Sequence, residues 1–395
     1  MNGLFILMYI VLLVQVICLI GGGPLAPLGY ISCLLFITFL FFFFNRYFSR
    51  NFKSKYFFPL AVFLLFYYIS SDYDINWTFV LFCQFMTIFI ANCSIDIVKE
   101  NPQLKKTFKF FCILFLGVFI VYCYRSFAFM EDNVMALREL VSSKKDSSVI
   151  IGGGYGLPYA FSLLIPVICY LLRYIRKDKI ILSFFLFFIV MGSILVFYAL
   201  YMTAIVLLLA GIAISFSYNL SKQAKIILII TAIIVIPSVV IYLPTVIGYL
   251  APEGADVLLR RAENLTDFVA GESISGTDLN TRFNLSLLSI KTFINNPIIG
   301  VGWKSGYDFF IMEQMGVGFH AEWFDIFAKY GLFAILLIIT IVNGTKDKLK
   351  KDNISYIMFL ILGFLNPTFN FPFFFTVFFM APSLIMVYKP QSQTS

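Results

Sequence analysis

Apolar runs long enough to cross a bilayer recur from one end of this chain to the other, and that recurrence restricts the fold more than any other feature. A helix needs about 20 apolar residues, with a range of roughly 17–25, to span the hydrocarbon. Runs near that length, some shorter, occupy residues 4–20, 28–44, 56–71, 77–95, 107–127, 155–172, 180–197, 199–217, 225–243, 322–342, 354–366 and 371–388. In lipid every backbone N–H and C=O has to be satisfied within the protein, so helices are the expected form of these segments. The expected fold is all-α: a polytopic integral membrane protein of about 12 transmembrane helices, with residues 1–395 forming a single transmembrane domain. Composition excludes a soluble alternative. The chain is 61% hydrophobic and 13% charged, against about 25% charged in a typical soluble domain. Pro367 and Pro372 in "NPTFNFP" mark a turn, so the last two segments are candidates for a re-entrant hairpin.

The basic residues set the expected orientation. With the N-terminus on the cytoplasmic side, the inner segments carry Arg46, Arg50, Lys53 and Lys55, then Lys99, Lys105, Lys106 and Lys109, then Arg173, Arg176, Lys177 and Lys179. Lys222, Lys225, the 346–351 cluster and Lys389 continue the alternation. Most of the 29 lysines and arginines thus fall on one side, which is the positive-inside pattern and places both termini in the cytoplasm. The net charge of +8 is then a topology and inner-leaflet signal and no argument for a nucleic-acid partner. All seven cysteines lie in apolar runs, where they read as small packing residues rather than a disulfide framework or a metal site.

Two outer loops interrupt the hydrophobic rhythm, at about 128–154 and 244–321. The longer one, 244–321, sits between the ninth and tenth spans and keeps an apolar periodicity. "PEGADVLLRRAENLTDFVAG" reads as one short helix. "NTRFNLSLLSIKTFINNP" reads as a second, capped by Asn280 or Thr281, with Leu285, Leu288 and Thr292 on one face. Pro297 ends it and "GVGW" follows as a tight turn. The first loop closes in "GGGYGLPY", which suits either a flexible turn or a nest of backbone amides for an anion.

The loop rises into the tenth span at "GVGFHAEWFDIFAKYG", which holds His320, the single histidine of the chain. On a helix at about 100° per residue, Glu322, Asp325 and Lys329 share one face. Charges this close to hydrocarbon normally face the protein interior or a wet cavity, so the face is expected to line an outward-opening cavity. An interfacial collar with snorkelling side chains is the plainer alternative, above all for Lys329. A histidine with a pKa near 6.5 can take up and return a proton at neutral pH. Arg260, Arg261 and Arg282 belong to the same outer loop, and guanidinium groups grip phosphate oxygens in pairs. Arg260 and Arg261 also fit a solvated helix face. A base beside arginines at the membrane surface suits transfer from a lipid-linked diphosphate, with the cations stabilising the leaving group. No spacing of metal ligands appears in the outer loop.

"RFNLSLLSIKTFINNPIIGVGW" followed by "HAEWFDIFAKYGLFA" resembles the signature of the bacterial O-antigen polymerase and O-antigen ligase superfamily. The elements that carry the likeness are Arg282, Pro297, Gly300, Gly302, His320, Asp325, Tyr330, Gly331 and Leu332, over roughly residues 282–334. The resemblance implies a GT-C-like membrane glycosyltransferase of the bacterial inner membrane, with a periplasmic active site and no metal or other cofactor. Its donor would be a glycan on undecaprenyl diphosphate, and a polymerase would pass that glycan to a new lipid-linked repeat unit. A ligase would pass it to lipid A-core instead. His320 would activate the acceptor hydroxyl, with Glu322 and Asp325 as further catalytic candidates, and Arg282 would hold the diphosphate. A co-polymerase that regulates chain length is a candidate partner. Two departures stand out. Ala321 follows the histidine where many members have Asn, and the outer end of the eighth span offers Tyr198, Tyr201 and Thr203 where many have an arginine. Arg260, Arg261, Arg125 and Tyr198 are the candidates for the second substrate contact. A transporter or flippase for the same lipid-linked glycan is the reading from a different class, though no internal repeat supports it.

Overall fold

The computed structural model describes residues 2–21, 25–71, 75–130, 156–199, 201–217, 278–302, 309–345 and 353–389, with a few isolated positions between them. Among the described residues, eight helices are long and apolar enough to cross a membrane, and nine if one bent pair counts as a span. The protein is a multi-pass membrane protein built of helices. We number them α1 (Asn2–Gly21), α2 (Ala26–Phe43), α3 (Asn45–Asn51), α4 (Ser54–Ser70), α5 (Ile75–Glu100), α6 (Lys105–Met130), α7 (Gly156–Ile175), α8 (Lys179–Tyr198) and α9 (Met202–Ser217). After the loop come α10 (Asp278–Asn295), α11 (Phe309–Gln314), α12 (Glu322–Tyr330), α13 (Ala334–Gly344) and α14 (Ile354–Leu362). The last helix, α15, runs over Phe371–Tyr388 with a π-helical stretch at Phe375–Met380.

Eight of the expected spans are recovered, and the other four expected segments behave differently. The third is a 17-residue helix that meets α3 at 75°. The eighth is shortened to 16 residues, beginning at Met202. The eleventh is a nine-residue helix, too short to cross a bilayer. Apart from the isolated helical positions Tyr242, Leu259 and Glu263, segment 225–243 and the helix expected around 252–271 lie outside the described residues, as do Arg260, Arg261 and Trp303. The tenth span is broken: α12 ends at Tyr330, a 3-10 turn follows at Gly331–Phe333, and α13 completes it.

Burial separates a central layer from a rim. The span windows of α15, α7 and α5 are 89%, 83% and 78% buried, whereas those of α2 and α8 are 28% buried. A helix that is apolar all round and fully covered belongs in the middle of a bundle; one equally apolar and bare belongs against lipid. Phenylalanine fills the middle: Phe85 meets Phe374, Phe115 meets Phe375 and Phe359 meets Phe378, with centroids 5.1–5.4 Å apart. Buried amides and hydroxyls tie the helices where hydrophobic driving force is weak. The Asn92 side chain donates to the Gly344 carbonyl at 2.7 Å, Asn353 to that of Val377 at 2.9 Å, and Ser162 to that of Ala204 at 2.9 Å.

The basic segments among the described residues gather at one end of the bundle. Arg50 pairs with Asp96 at 3.0 Å and with Glu100, joining α3 to the end of α5. Lys109 at the start of α6 pairs with Asp178 before α8 at 3.4 Å and lies 5.1 Å from the Tyr388 ring at the end of α15. Asn343 at the end of α13 donates to the Lys55 carbonyl. The motif residues of α10 and α12 lie toward the opposite end. Phe66 near the far end of α4 stacks on Phe333 at 3.9 Å, and Tyr67 meets Tyr330 at 5.9 Å.

Candidate functional site

Helix α10 runs beside α12 in the same direction. Ser289 reaches Asp325, Phe293 packs on Phe327 at 5.2 Å, and Ile298 lies against Gly331. The buried face of α10 consists of Leu285, Ser289 and Thr292. Leu288, expected on that face, is only half-buried, and Ser289 takes its place. The helix starts at Asp278, so Asn280 and Thr281 lie within its first turn rather than capping it.

The glycine turn after α10 docks on the break in the tenth span. Where α12 ends, its last carbonyls lose their helical partners. Val301 N–H donates to the Ala328 carbonyl at 3.0 Å and Gly302 N–H to that of Lys329 at 2.8 Å. In return Leu332 N–H donates to the Pro297 carbonyl at 2.8 Å. Two glycines make this seam. Gly300 has φ +73°, and a Cβ there would fall 2.5 Å from the Lys329 carbonyl group. Gly331 has φ +55°, and a Cβ there would fall 2.5 Å from the backbone of Ile298. Neither site admits a side chain, and both backbones sit in the left-handed region that favours glycine.

His320 sits in the short hook before α12 and is half-buried. The hook is laid along α10: a Cβ on Gly316 would fall 2.1 Å from the Thr292 hydroxyl, and one on Gly318 would fall 2.2 Å from the Leu285 carbonyl. Leu285 is three residues from Arg282, under one helical turn. The fold therefore brings the loop of His320 onto the stretch of α10 that carries the half-buried Arg282. Phe319 adopts φ +58°, a conformation that a bulky L-residue rarely takes. Such outliers cluster at functional sites.

Glu322, Asp325 and Lys329 do share a face, but they are 5%, 1% and 8% exposed and do not line an open cavity. Their charges are met inside the protein. Asp325 accepts from the Ser289 hydroxyl at 2.6 Å and from Ala321 N–H at 3.1 Å. One Glu322 carboxylate oxygen accepts from Thr368 N–H at 2.6 Å and from Phe369 N–H at 2.9 Å. The Lys329 ammonium lies 4.3 Å from the centre of the Phe319 ring. Glu322 thus fixes the turn between α14 and α15, where Pro367 and Pro372 led to the expectation of a re-entrant hairpin. The structure has a nine-residue helix, this tethered turn and one long buried helix, folded back on each other with Asn353 donating to the Val377 carbonyl and Phe359 against Phe378. Trp323 closes the same joint, its N–H donating to the Gly363 carbonyl at 3.1 Å and its indole to that of Leu360 at 2.7 Å.

No family model, curated protein or solved structure matches this chain.

The remaining candidates lie elsewhere. Arg125 is exposed on α6 beside the Tyr122 ring, and Tyr198 is exposed on α8 against Phe127. From the "GGGYGLPY" cluster, Gly156 opens α7 and lets the helix approach Asn370 and Pro372, where a Cβ would lie 3.2–3.3 Å from both. A cavity of about 410 Å³ opens beside that turn, walled by Tyr30, Trp77 and Gln84 and floored by Phe369 to Pro372. No group of three or more metal-ligating side chains occurs among the described residues. Sequence reasoning missed Ser289, Gly318 and the Thr368–Phe369 amides. Ser289 carried a signal, a polar residue one turn after Leu285 on an otherwise apolar face.

Proposed function

We propose that this protein is a membrane glycosyltransferase of the O-antigen polymerase kind, moving a growing glycan from undecaprenyl diphosphate onto a new lipid-linked repeat unit. One observation carries the reading: Arg282, the Pro297–Gly300–Gly302 turn, the His320 hook, Asp325 and the Tyr330–Leu332 break pack together as one unit, remote from the basic end. In this reading His320 takes the proton of the acceptor hydroxyl as that oxygen attacks the donor's anomeric carbon. The bond to the diphosphate breaks, and Arg282 stabilises the charge that develops on the leaving group. The basic end faces the cytoplasm of a bacterial inner membrane, and the α10–α12 unit faces the periplasm. The 410 Å³ cavity supplies apolar room beside the turn that Glu322 anchors.

The test uses purified protein with defined lipid-linked donor and acceptor. His320→Ala and Arg282→Ala are each expected to abolish chain extension while membrane abundance stays unchanged. Extension at wild-type rates in both variants would reject the reading. A deletion strain separates polymerase from ligase: loss of a polymerase leaves lipid A-core capped by one repeat, and loss of a ligase leaves it bare.

A further inference from the structure

We infer that Ser289 and Asp325 form a positioning pair that sets the pose of His320. The observation is a closed hydrogen-bond circuit around the hook. Gly318 N–H, two residues before the histidine, donates to Ser289 Oγ at 2.8 Å. Ser289 Oγ donates onward to Asp325 Oδ1 at 2.6 Å. Asp325 Oδ2 accepts from Ala321 N–H, directly after the histidine, at 3.1 Å. The hook is thus gripped on both sides of His320 by two side chains that are themselves 0% and 1% exposed.

The circuit has chemistry that a plain helix cap lacks. A cap needs only the carboxylate of α12 and the amides before that helix. Here the second member comes from α10, the helix of Arg282. A hydroxyl has one proton to give, and Ser289 gives it to Asp325, which leaves its lone pairs for Gly318. The pair therefore fixes the hook relative to α10 as well as α12 and sets the separation of base and guanidinium. It also holds Phe319 at its φ of +58°, which the chain would otherwise leave. Neither side chain touches a reacting atom in this scheme; both act through His320.

The kinetic arm of the test rests on the transfer reading, and the chemical arm does not. His320 is the single histidine of the chain. Acylation by diethyl pyrocarbonate, followed by the absorbance of the imidazole adduct, therefore reports on it without background, and His320→Ala supplies the blank. In detergent-purified full chain, Ser289→Ala is expected to change the acylation rate at least threefold, on the order expected when an anchored loop is released. It is also expected to lower kcat by roughly 10- to 100-fold with KM nearly unchanged, the signature of a displaced catalytic group. Ser289→Thr, which keeps the hydroxyl, restores both. Asp325→Asn gives the same pattern where it folds; Ser289→Ala removes a single hydroxyl and is the deciding variant. Wild-type acylation in folded Ser289→Ala would overturn the inference. A wild-type protein that transfers no glycan would overturn the functional reading, and the acylation arm would still judge the positioning pair.

Discussion

The two ends of the bundle handle charge in opposite ways. At the basic end, Arg46 and Arg50 meet Asp96 and Glu100, and Lys109 meets Asp178, in pairs whose basic side chains are 34–78% exposed, with Asp96 the one mostly covered carboxylate. At the other end, Glu322, Asp325 and Lys329 are buried, and the two carboxylates are held mainly by backbone N–H groups and a serine hydroxyl. The first arrangement is cheap to make and cheap to lose, because water reaches the basic partner of each pair and screens it. The second stands or falls with geometry, since a buried polar group without its partner costs the full desolvation penalty. Surface charge suffices to orient a membrane protein, whereas buried charge tied to backbone fixes where particular loops stand.

Mutations at the two ends should therefore separate widely in effect. Gly331→Ala is expected to cost the most, more than about 3 kcal/mol, because it combines a disfavoured φ with a clash against the Ile298 backbone. The measurement is thermal denaturation in detergent, and a midpoint near that of wild type would break the claim that the seam carries the broken span. Glu322→Ala should come next, at roughly 2–5 kcal/mol, since it leaves the Thr368 and Phe369 amides without their acceptor. Glu322→Gln should recover part of that loss, because the amide keeps an accepting oxygen; equal midpoints for the two variants would contradict the assignment. Arg50→Gln should move the midpoint by no more than about 2 °C, and by less in high salt. A large, salt-insensitive loss there would show that the two ends do not differ as argued.

Much of this contrast was legible in the sequence. The long apolar runs became helices because lipid leaves the backbone no other way to satisfy itself. Of the loops that the positive-inside pattern marked, those among the described residues gather at one end. The charged stretch at the mouth of the tenth span was noticeable for the same reason, as charge beside hydrocarbon needs an explanation. What the sequence could not supply is the identity of the partners. Thr368 and Phe369 answer Glu322 through their backbones, and a backbone amide leaves no trace in the choice of side chain. Ser289 answers Asp325 from 36 residues away, a distance that only tertiary packing closes. The short α14 was harder to read, because apolarity signals burial in a protein interior and in a bilayer alike: Met358, Phe359 and Leu362 are buried in the bundle, whereas Ile357 and Ile361 on the same nine-residue helix are exposed.

The seam between Gly300 and Gly331 has a consequence for variation among relatives of this chain. A side chain pressed by a neighbour can be trimmed, and the neighbour can grow to fill the gap, so most packed pairs drift together. Here main chain meets main chain, and a carbonyl has no smaller version of itself. Neither position has a compensating exchange available to the other. Any set of sequences that keeps the broken tenth span should hold both glycines fixed even where the residues around the histidine have diverged.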